Sequence, residues 1–455
     1  LVAGIRSAMA RSRRVLAVAP TGAGKTITFA YIGRAASQKG NRVTILAHRA
    51  EIVDQISRAL DAFGIRHGRI QPGHSMTDDL TQVAMVQTLA RRLDRIPAPK
   101  LLVVDEAHHA CAGTWSTVAE MWSSARILGV TATPVRNDGK GLGDVFDEMV
   151  IGPTVAELIE GGFLAGYEYL APPQQVDLSA VKTRGGDYAI DQLAEAMDRA
   201  VIIGDACSHY RQHLNGRPSV VFCVTVAHAE HVAEQFRSAG FRAASVDGSM
   251  DKAERRDRIA AIGDGRLNVL TSCDIISEGT DIPAVSGAIL LRPTKSLGLY
   301  LQQVGRALRP KPDGSRAVII DHVGNVYRHG LPDDVREWSL EAKKQKPREA
   351  SISTCPACFR AFPANAKGEA CEGVADCLFT PKEKTERREM EVVDGQLAPI
   401  TQDDLAKYRE GRLSEVLRGT ESREELQLIA KARGYKPQWV WKVMQERRRS
   451  RGVAA

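Results

Sequence analysis

Val15-Leu16-Ala17-Val18-Ala19-Pro20-Thr21-Gly22-Ala23-Gly24-Lys25-Thr26 is the stretch on which the fold turns. Its first five residues are an uncharged apolar run and read as a buried parallel strand; Pro20 and the two glycines break that run, and a helical pattern opens behind them. This strand-to-helix setting is what a phosphate-binding loop requires. Gly22 and Gly24 let backbone N–H groups approach phosphate, the helix N-terminus adds a favourable dipole, Lys25 reaches β and γ phosphates, and Thr26 can hold Mg²⁺. Pro20, Thr21 and Ala23 complete the loop. Ala19 stands where the general pattern has its first Gly, and a tight turn that binds nothing has the same outline.

Outward from this loop, short β-branched runs alternate with helical-period segments twice over. The first half predicts strands at Val15–Ala19, Val43–Ala47, Gln82–Val86, Leu101–Val104 and Ile127–Thr131; the second predicts Val220–Val224, Ala243–Val246, Asn268–Ser272, Ala288–Leu291 and Ala317–Ile320. The fold class is therefore α/β, with two tandem domains of parallel sheet flanked by helices. Asp105-Glu106-Ala107-His108 follows the apolar run Leu101–Val104. Carboxylates at the carboxyl end of a buried parallel strand face the crevice where such sheets bind ligands, so Asp105 can join a Mg²⁺ shell and Glu106 can orient or deprotonate an attacking water. A solvated acidic turn is the plainer alternative. In Gln302-Gln303-Val304-Gly305-Arg306-Ala307-Leu308-Arg309, helical spacing puts Arg306 and Arg309 on one face, from which two guanidiniums could stabilise a transferring phosphoryl group; an exposed basic face is the plainer reading. Ser277–Pro283, rich in turn residues after a strand, reads as a second cleft-lining loop.

The chain has 455 residues, which at roughly 100 to 200 residues per domain predicts two to four domains. No run of about 20 uncharged apolar residues exists, and the arginine-rich start lacks an apolar signal core, so membrane readings fail and a cytoplasmic setting is expected. The net charge of +7 permits a polyanionic partner, and basic residues concentrate from Lys431 to Arg451. Cys355-Pro356-Ala357-Cys358 resembles a zinc knuckle that Cys371 and Cys377 could complete as a four-sulfur Zn²⁺ site. The second pair is spaced irregularly, so a degenerate site and redox use stay open. Glu421–Arg449 reads as two helices joined near Gly434 and Pro437. Trp439 and Trp441 there either stack single-stranded bases or pack a small core, whereas Trp115 and Trp122 read as packing residues.

Taken together and in order, the loop at 19–26, the Asp105–His108 box, Thr131-Ala132-Thr133, Gly279-Thr280-Asp281 and the 303–309 segment resemble the motifs of the superfamily 2 helicases and translocases, DEAD/DEAH-box enzymes whose two RecA-like domains clamp ATP. The resemblance covers about residues 14 to 325. It implies that Lys25 and Thr26 bind phosphate and Mg²⁺, that Asp105 and Glu106 serve metal and water, and that Arg306 and Arg309 act across the domain cleft. It also implies that His108, Thr131, Thr133 and Gln303 couple nucleotide state to closure, with Gly279 and Asp281 near the nucleotide. Arg49, Gln87, Thr88, Thr225 and Thr271 would lie along a nucleic-acid strand, where ordinary caps and surface polar residues are the alternative. The stretch Asp321–Asn325, the cysteines behind the motor and Gly434–Trp439 resemble bacterial RadD-like and phage-encoded DNA helicases. The upstream element by which relatives recognise adenine is absent, as in a fragment or a misassigned start.

The expected organisation is an ATP-binding domain at 1–165, a linker at 166–198, a second RecA-like domain at 199–330, a charged linker at 331–354, a zinc-binding segment at 355–380 and a helical basic region at 400–455. The expected function is ATP- and Mg²⁺-dependent movement along DNA, single-stranded or forked, in repair, recombination or phage replication. A DNA-stimulated translocase or restriction-type motor without strand separation is the alternative. An RNA helicase and a non-catalytic scaffold are weaker ones.

Overall fold

The computed structural model describes residues 1–109, 113–135, 141–172, 178, 181–184, 187–197, 200–273, 282–341, 352–355, 358–364, 377, 408, 413–418, 423–436 and 438–450. Two compact units divide the chain, Leu1–Pro381 and Lys382–Ala455.

The first unit holds two parallel sheets. In the first, the order is Gly68–Ile70 (β3), Thr81–Met85 (β4), Val43–Ala47 (β2), Leu101–Asp105 (β5), Arg126–Thr131 (β6), Arg14–Val18 (β1) and Glu148–Ile151 (β7). All six pairings are parallel. Because side chains alternate across a strand, Leu16 and Val18 of β1 enter one apolar cluster and Ala17 the opposite one. Trp115 and Trp122 belong to the first cluster, as expected of packing residues. Truncating the fully buried Leu16 to Ala would cost about 2–5 kcal/mol.

The second sheet runs Ala243–Val246 (β12), Val269–Ser272 (β13), Ser219–Phe222 (β11), Gly287–Leu290 (β14), Ala317–Asp321 (β15) and Tyr167–Leu170 (β8), again all parallel. The last of these strands lies within the expected linker. Tyr169 and Leu170 explain why: both are buried against the second domain's core, and Tyr169 donates its hydroxyl to Asp321 at 2.9 Å. The same segment carries a hairpin of Thr183–Arg184 (β9) with Asp187–Tyr188 (β10). Asp187 accepts from Thr294 Oγ1 and Lys295 N, tying that hairpin to the loop before the helix Leu297–Ala307.

The segment expected as a charged linker returns to the first domain. Trp338 and Leu340 pack against its core, and Gly143 N donates to Leu340 O at 2.9 Å. Beyond it, Ile352–Thr354 (β16) and Ala361–Pro363 (β17) pair antiparallel, and Arg360 bridges to Leu170 while its guanidinium meets Glu168 at 2.6 Å. The second unit contains helices Leu413–Arg418, Arg423–Ala432 and Gln438–Ser450 around Val416, Leu426, Ile429, Ala430, Val440 and Val443. Among the described residues, no helix is long and apolar enough to cross a membrane.

Candidate functional site

The order β5-β6-β1 in the first sheet brings three of the quoted motifs side by side at the strands' carboxyl ends, since Asp105 ends β5, Thr131 ends β6 and Ala19 follows β1. The loop after β1 turns through Gly22 and Gly24, with φ +87° and +74°, a region that favours glycine. Gly24 is the N-cap of the helix Lys25–Ser37, whose first turn holds no acid, so its N–H groups and dipole stay open to an anion. Lys25 Nζ donates to Ala19 O at 3.3 Å and Pro20 O at 3.2 Å. Removal from water lowers its pKa; Glu106 and Asp105 oppose that shift, and Arg306 and Arg309 add to it. An ammonium held by two carbonyls beside a helix N-terminus fits a polyphosphate.

Two adjacent carboxylates stand opposite. Asp105 is pushed up to about 7 by desolvation first, then by the charge of Glu106, with Lys25 pulling the other way. Carboxyl groups crowded in this way fit a divalent cation that would neutralise both. Glu106 has φ +48°, an unusual conformation for a non-glycine residue that turns its side chain back toward the box. Its Oε2 lies 3.4 Å from His108 Nδ1. His108 Nδ1 lies 3.0 Å from Thr131 Oγ1, and the Thr131 hydroxyl donates to Thr133 O at 2.9 Å. That hydroxyl proton is thereby committed, so the Thr131 oxygen accepts from His108 Nδ1–H and, at 3.2 Å, from Thr133 N. A Cβ built on Gly298 would lie 2.9 Å from Thr133 Oγ1, which carries the chain of contacts into the second domain.

Gly298 opens the helix Leu297–Ala307, capped by Ser296, whose hydroxyl accepts from Leu299 N. Gln303 and Arg306 on it are buried at 1% and 7% exposure, and among the described residues neither amide atom of Gln303 has a hydrogen-bond partner. A buried amide without partners costs about 1–3 kcal/mol and marks a site built for something further. Arg309 corrects the sequence reading: the helix ends at Ala307 with Leu308 as C-cap, so Arg309 lies beyond it, and its Nη1 donates to Ile282 O at 2.6 Å. Gly279 and Asp281 lie outside the described residues.

The five expected nucleic-acid contacts divide. Arg49 is half-buried at the start of the helix Ala50–Ala62, and the exposed Gln87 donates to His48 O at 3.3 Å. Thr88 is buried. Thr225, partly exposed, caps the helix Val226–Ser238 by accepting from His228 N, and the fully buried Thr271 donates to Ala229 O at 2.7 Å. Missed in the sequence is Arg255, which meets Glu51 at 2.6 Å and joins the two domains. The helix Lys252–Gly263 that carries it is heavily charged, and nothing in its pattern singles that residue out.

Cys355, Cys358 and Cys377 converge, with their sulfurs all within 4.8 Å of one another. Cys355 Sγ and Cys377 Sγ lie 3.6 Å apart, too far for a disulfide and close to the ~3.8 Å edge of a tetrahedron with ~2.3 Å Zn–S bonds. These thiols therefore fit a zinc ion. Cys371 lies outside the described residues.

A Cβ built on Gly305 would lie 2.7 Å from Thr21 Cβ, so a helix of the second parallel domain meets the phosphate loop of the first, which defines a two-domain P-loop ATPase fold. The family described as type III restriction enzyme, res subunit, matches residues 2–136, and the helicase conserved C-terminal domain matches 201–311. A 51.5 kDa protein of Lactococcus phage isolate 7-9 is 34% identical over 353 residues, 76% of this chain and 75% of that protein. The candidate ATP-dependent helicase IRC3 of Saccharomyces cerevisiae is 29% identical over 335 residues; the match takes in 69% of this chain and about half (49%) of the yeast protein's length. The fragment structure of a candidate HsdR subunit of a type I restriction enzyme from Vibrio vulnificus YJ016 shares the fold, with a TM-score of 0.59 at 20% identity over 73% of this chain and 64% of that one. The chain belongs to the superfamily 2 helicases and is an ATP-hydrolysing enzyme.

Proposed function

We propose that this chain is a DNA-dependent motor that closes its two RecA-like domains on Mg²⁺–ATP and moves along a DNA strand. The observation that carries the reading is the approach of Gly305 to Thr21, which brings the helix bearing Gln303 and Arg306 against the phosphate loop. In this reading Pro20 to Thr26 cradle the phosphates, Lys25 pairs with their charge, and Thr26 and Asp105 take the Mg²⁺, which supplies charge neutralisation at the phosphoryl oxygens. Glu106 orients the attacking water and accepts its proton. Arg306 and Arg309 add positive charge around Lys25, and in this reading they stabilise the charge that develops during transfer.

DNA rather than RNA is supported by the restriction-enzyme descriptions of the matched family and of the fold relative. The same descriptions favour, as a second reading, a translocase that does not separate strands. A zinc ion on Cys355, Cys358 and Cys377 belongs to the proposal as a structural element, as does a cytoplasmic setting. The test is ATP hydrolysis by wild type and Glu106→Gln without nucleic acid and with single-stranded DNA, forked DNA and RNA of matched length. Stimulation by DNA that the substitution abolishes is expected. Stimulation by RNA alone, or an inactive wild type in all four conditions, would sink the proposal.

A further inference from the structure

Among its described residues, the second unit has an aromatic side chain outside the apolar core. Trp439 is half-buried, packs on Leu426 and its neighbours, and places its ring 4.9 Å from that of Tyr435. Trp441, two residues on, is 61% exposed. A large, mostly exposed indole on a helix whose Val440 and Val443 are buried lies outside the core that the described residues form and marks a contact surface. Exposed neighbours give that surface its sign. Lys442 adjoins Trp441 on the helix, and Lys431, Tyr435 and Lys436 are exposed on the end of the preceding helix and the turn, where Gly434 at φ +68° reverses the chain. Arg433 is not among them, because its Nε donates to Tyr408 O at 2.6 Å. From Lys431 to Arg451 the sequence holds eight Lys or Arg residues against the single acid Glu446, so the partner that complements this end is a polyanion.

We propose that the exposed Trp441 and Lys442 of this helix, together with Lys436 and Lys431 on the turn and helix before it, hold single-stranded DNA, on a unit other than the one that carries the phosphate loop. Charge alone would suit any nucleic acid, but an exposed indole selects an unpaired base: a duplex buries its base faces in the stack, whereas a single strand offers each one. The lysines hold the flanking phosphates and read no sequence. The choice of DNA over RNA rests on the function proposed above; the choice of a single strand rests on Trp441.

The test is direct binding of oligo-dT, blunt duplex DNA and oligo-U by the full-length protein, followed across a salt series. Trp441→Ala is expected to weaken oligo-dT binding about 5- to 100-fold, with Trp441→Phe restoring most of it and the salt slope unchanged. Lys436→Ala with Lys442→Ala is expected to lower the salt slope by about 1.4, at ~0.7 per lost phosphate contact. Because Trp441 is exposed, its removal leaves the helical core in place. Hydrolysis without DNA should stay at the wild-type rate in Trp441→Ala, so the motor reading is judged by Glu106→Gln and this face by binding alone. Unchanged oligo-dT affinity in Trp441→Ala, an equal loss on duplex, or a loss confined to oligo-U would each overturn the proposal.

Discussion

Gly305 approaches the phosphate loop so closely that a Cβ built on it would lie 2.7 Å from Thr21 Cβ. Real Cβ atoms do not come that close, and the opposing atom sits next to the backbone, so neither side can yield by rotating a flexible tip. Gly305→Ala should push the helix off the loop and with it Gln303 and Arg306. In a helix the same change adds up to about 1 kcal/mol of local propensity, which offsets part of the overpacking cost of about 1–3 kcal/mol. Steady-state kinetics should therefore show kcat/KM falling roughly tenfold or more while the melting temperature barely moves. A large loss of stability at full activity would mean that the contact serves folding alone.

What could be read from the sequence followed from burial. Strands such as Val43–Ala47 are apolar on both faces and announce themselves, and the strands expected in each half appear within about two residues of their places. The edge strand Glu148–Ile151 opens on an acid and stays partly exposed, so its pattern is that of a loop. Arg309 fell outside its expected helix because nothing before Pro310 breaks the helical period, and Leu308 ends it only in context. Contacts such as Glu51 with Arg255 join elements 204 residues apart and leave no local signal.

Asp105 makes the free enzyme pH-dependent. Its carboxyl is raised from 3.8 to about 7 by desolvation and by Glu106, so the folded state favours the protonated form. For a raised acid the folding penalty is absent below pH 3.8, grows as pH rises towards 7, and is complete above it. Thermal melts of nucleotide-free protein should show stability declining between about pH 4 and pH 7 and levelling off above, and Asp105→Asn should flatten that decline. A bound cation would bring the pKa back down and release a proton on binding, so the Mg²⁺ concentration giving half-maximal hydrolysis should rise as pH falls from 8 to 6. Identical pH profiles for wild type and Asp105→Asn would refute this assignment.

Thr131 is fully buried between His108 and Thr133, with its oxygen accepting from both and its proton given to Thr133 O. Thr131→Val keeps the shape and removes every one of these bonds. The loss of the bonds to Thr133 N and O, buried groups, should cost about 1–3 kcal/mol, visible as a lowered urea midpoint at unchanged m-value. Because Thr133 also abuts Gly298 on the other domain, the variant should lose more of the DNA-stimulated rate than of the DNA-free rate. Equal fractional losses in the two rates would make Thr131 a purely structural residue.

The cysteine cluster supports the second sheet at its edge. Cys355 N donates to Arg360 O, Phe359 N donates back to Cys355 O, and Arg360 bridges to Leu170 at the end of the edge strand Tyr167–Leu170. A metal clamping Cys355, Cys358 and Cys377 would hold this turn and cover an exposed strand edge. Elemental analysis of the purified protein should find one zinc per chain, and Cys355→Ala should lose it. The variant, or protein treated with a strong chelator, should melt roughly 5 °C lower or more, since metal binding here is folding energy. The phosphate loop lies on a different sheet, so hydrolysis without DNA at low temperature should stay within roughly twofold of wild type. Stoichiometric zinc that survives Cys355→Ala would place the ion elsewhere, and zinc-free protein with an unchanged melting temperature would leave the thiols without a structural metal.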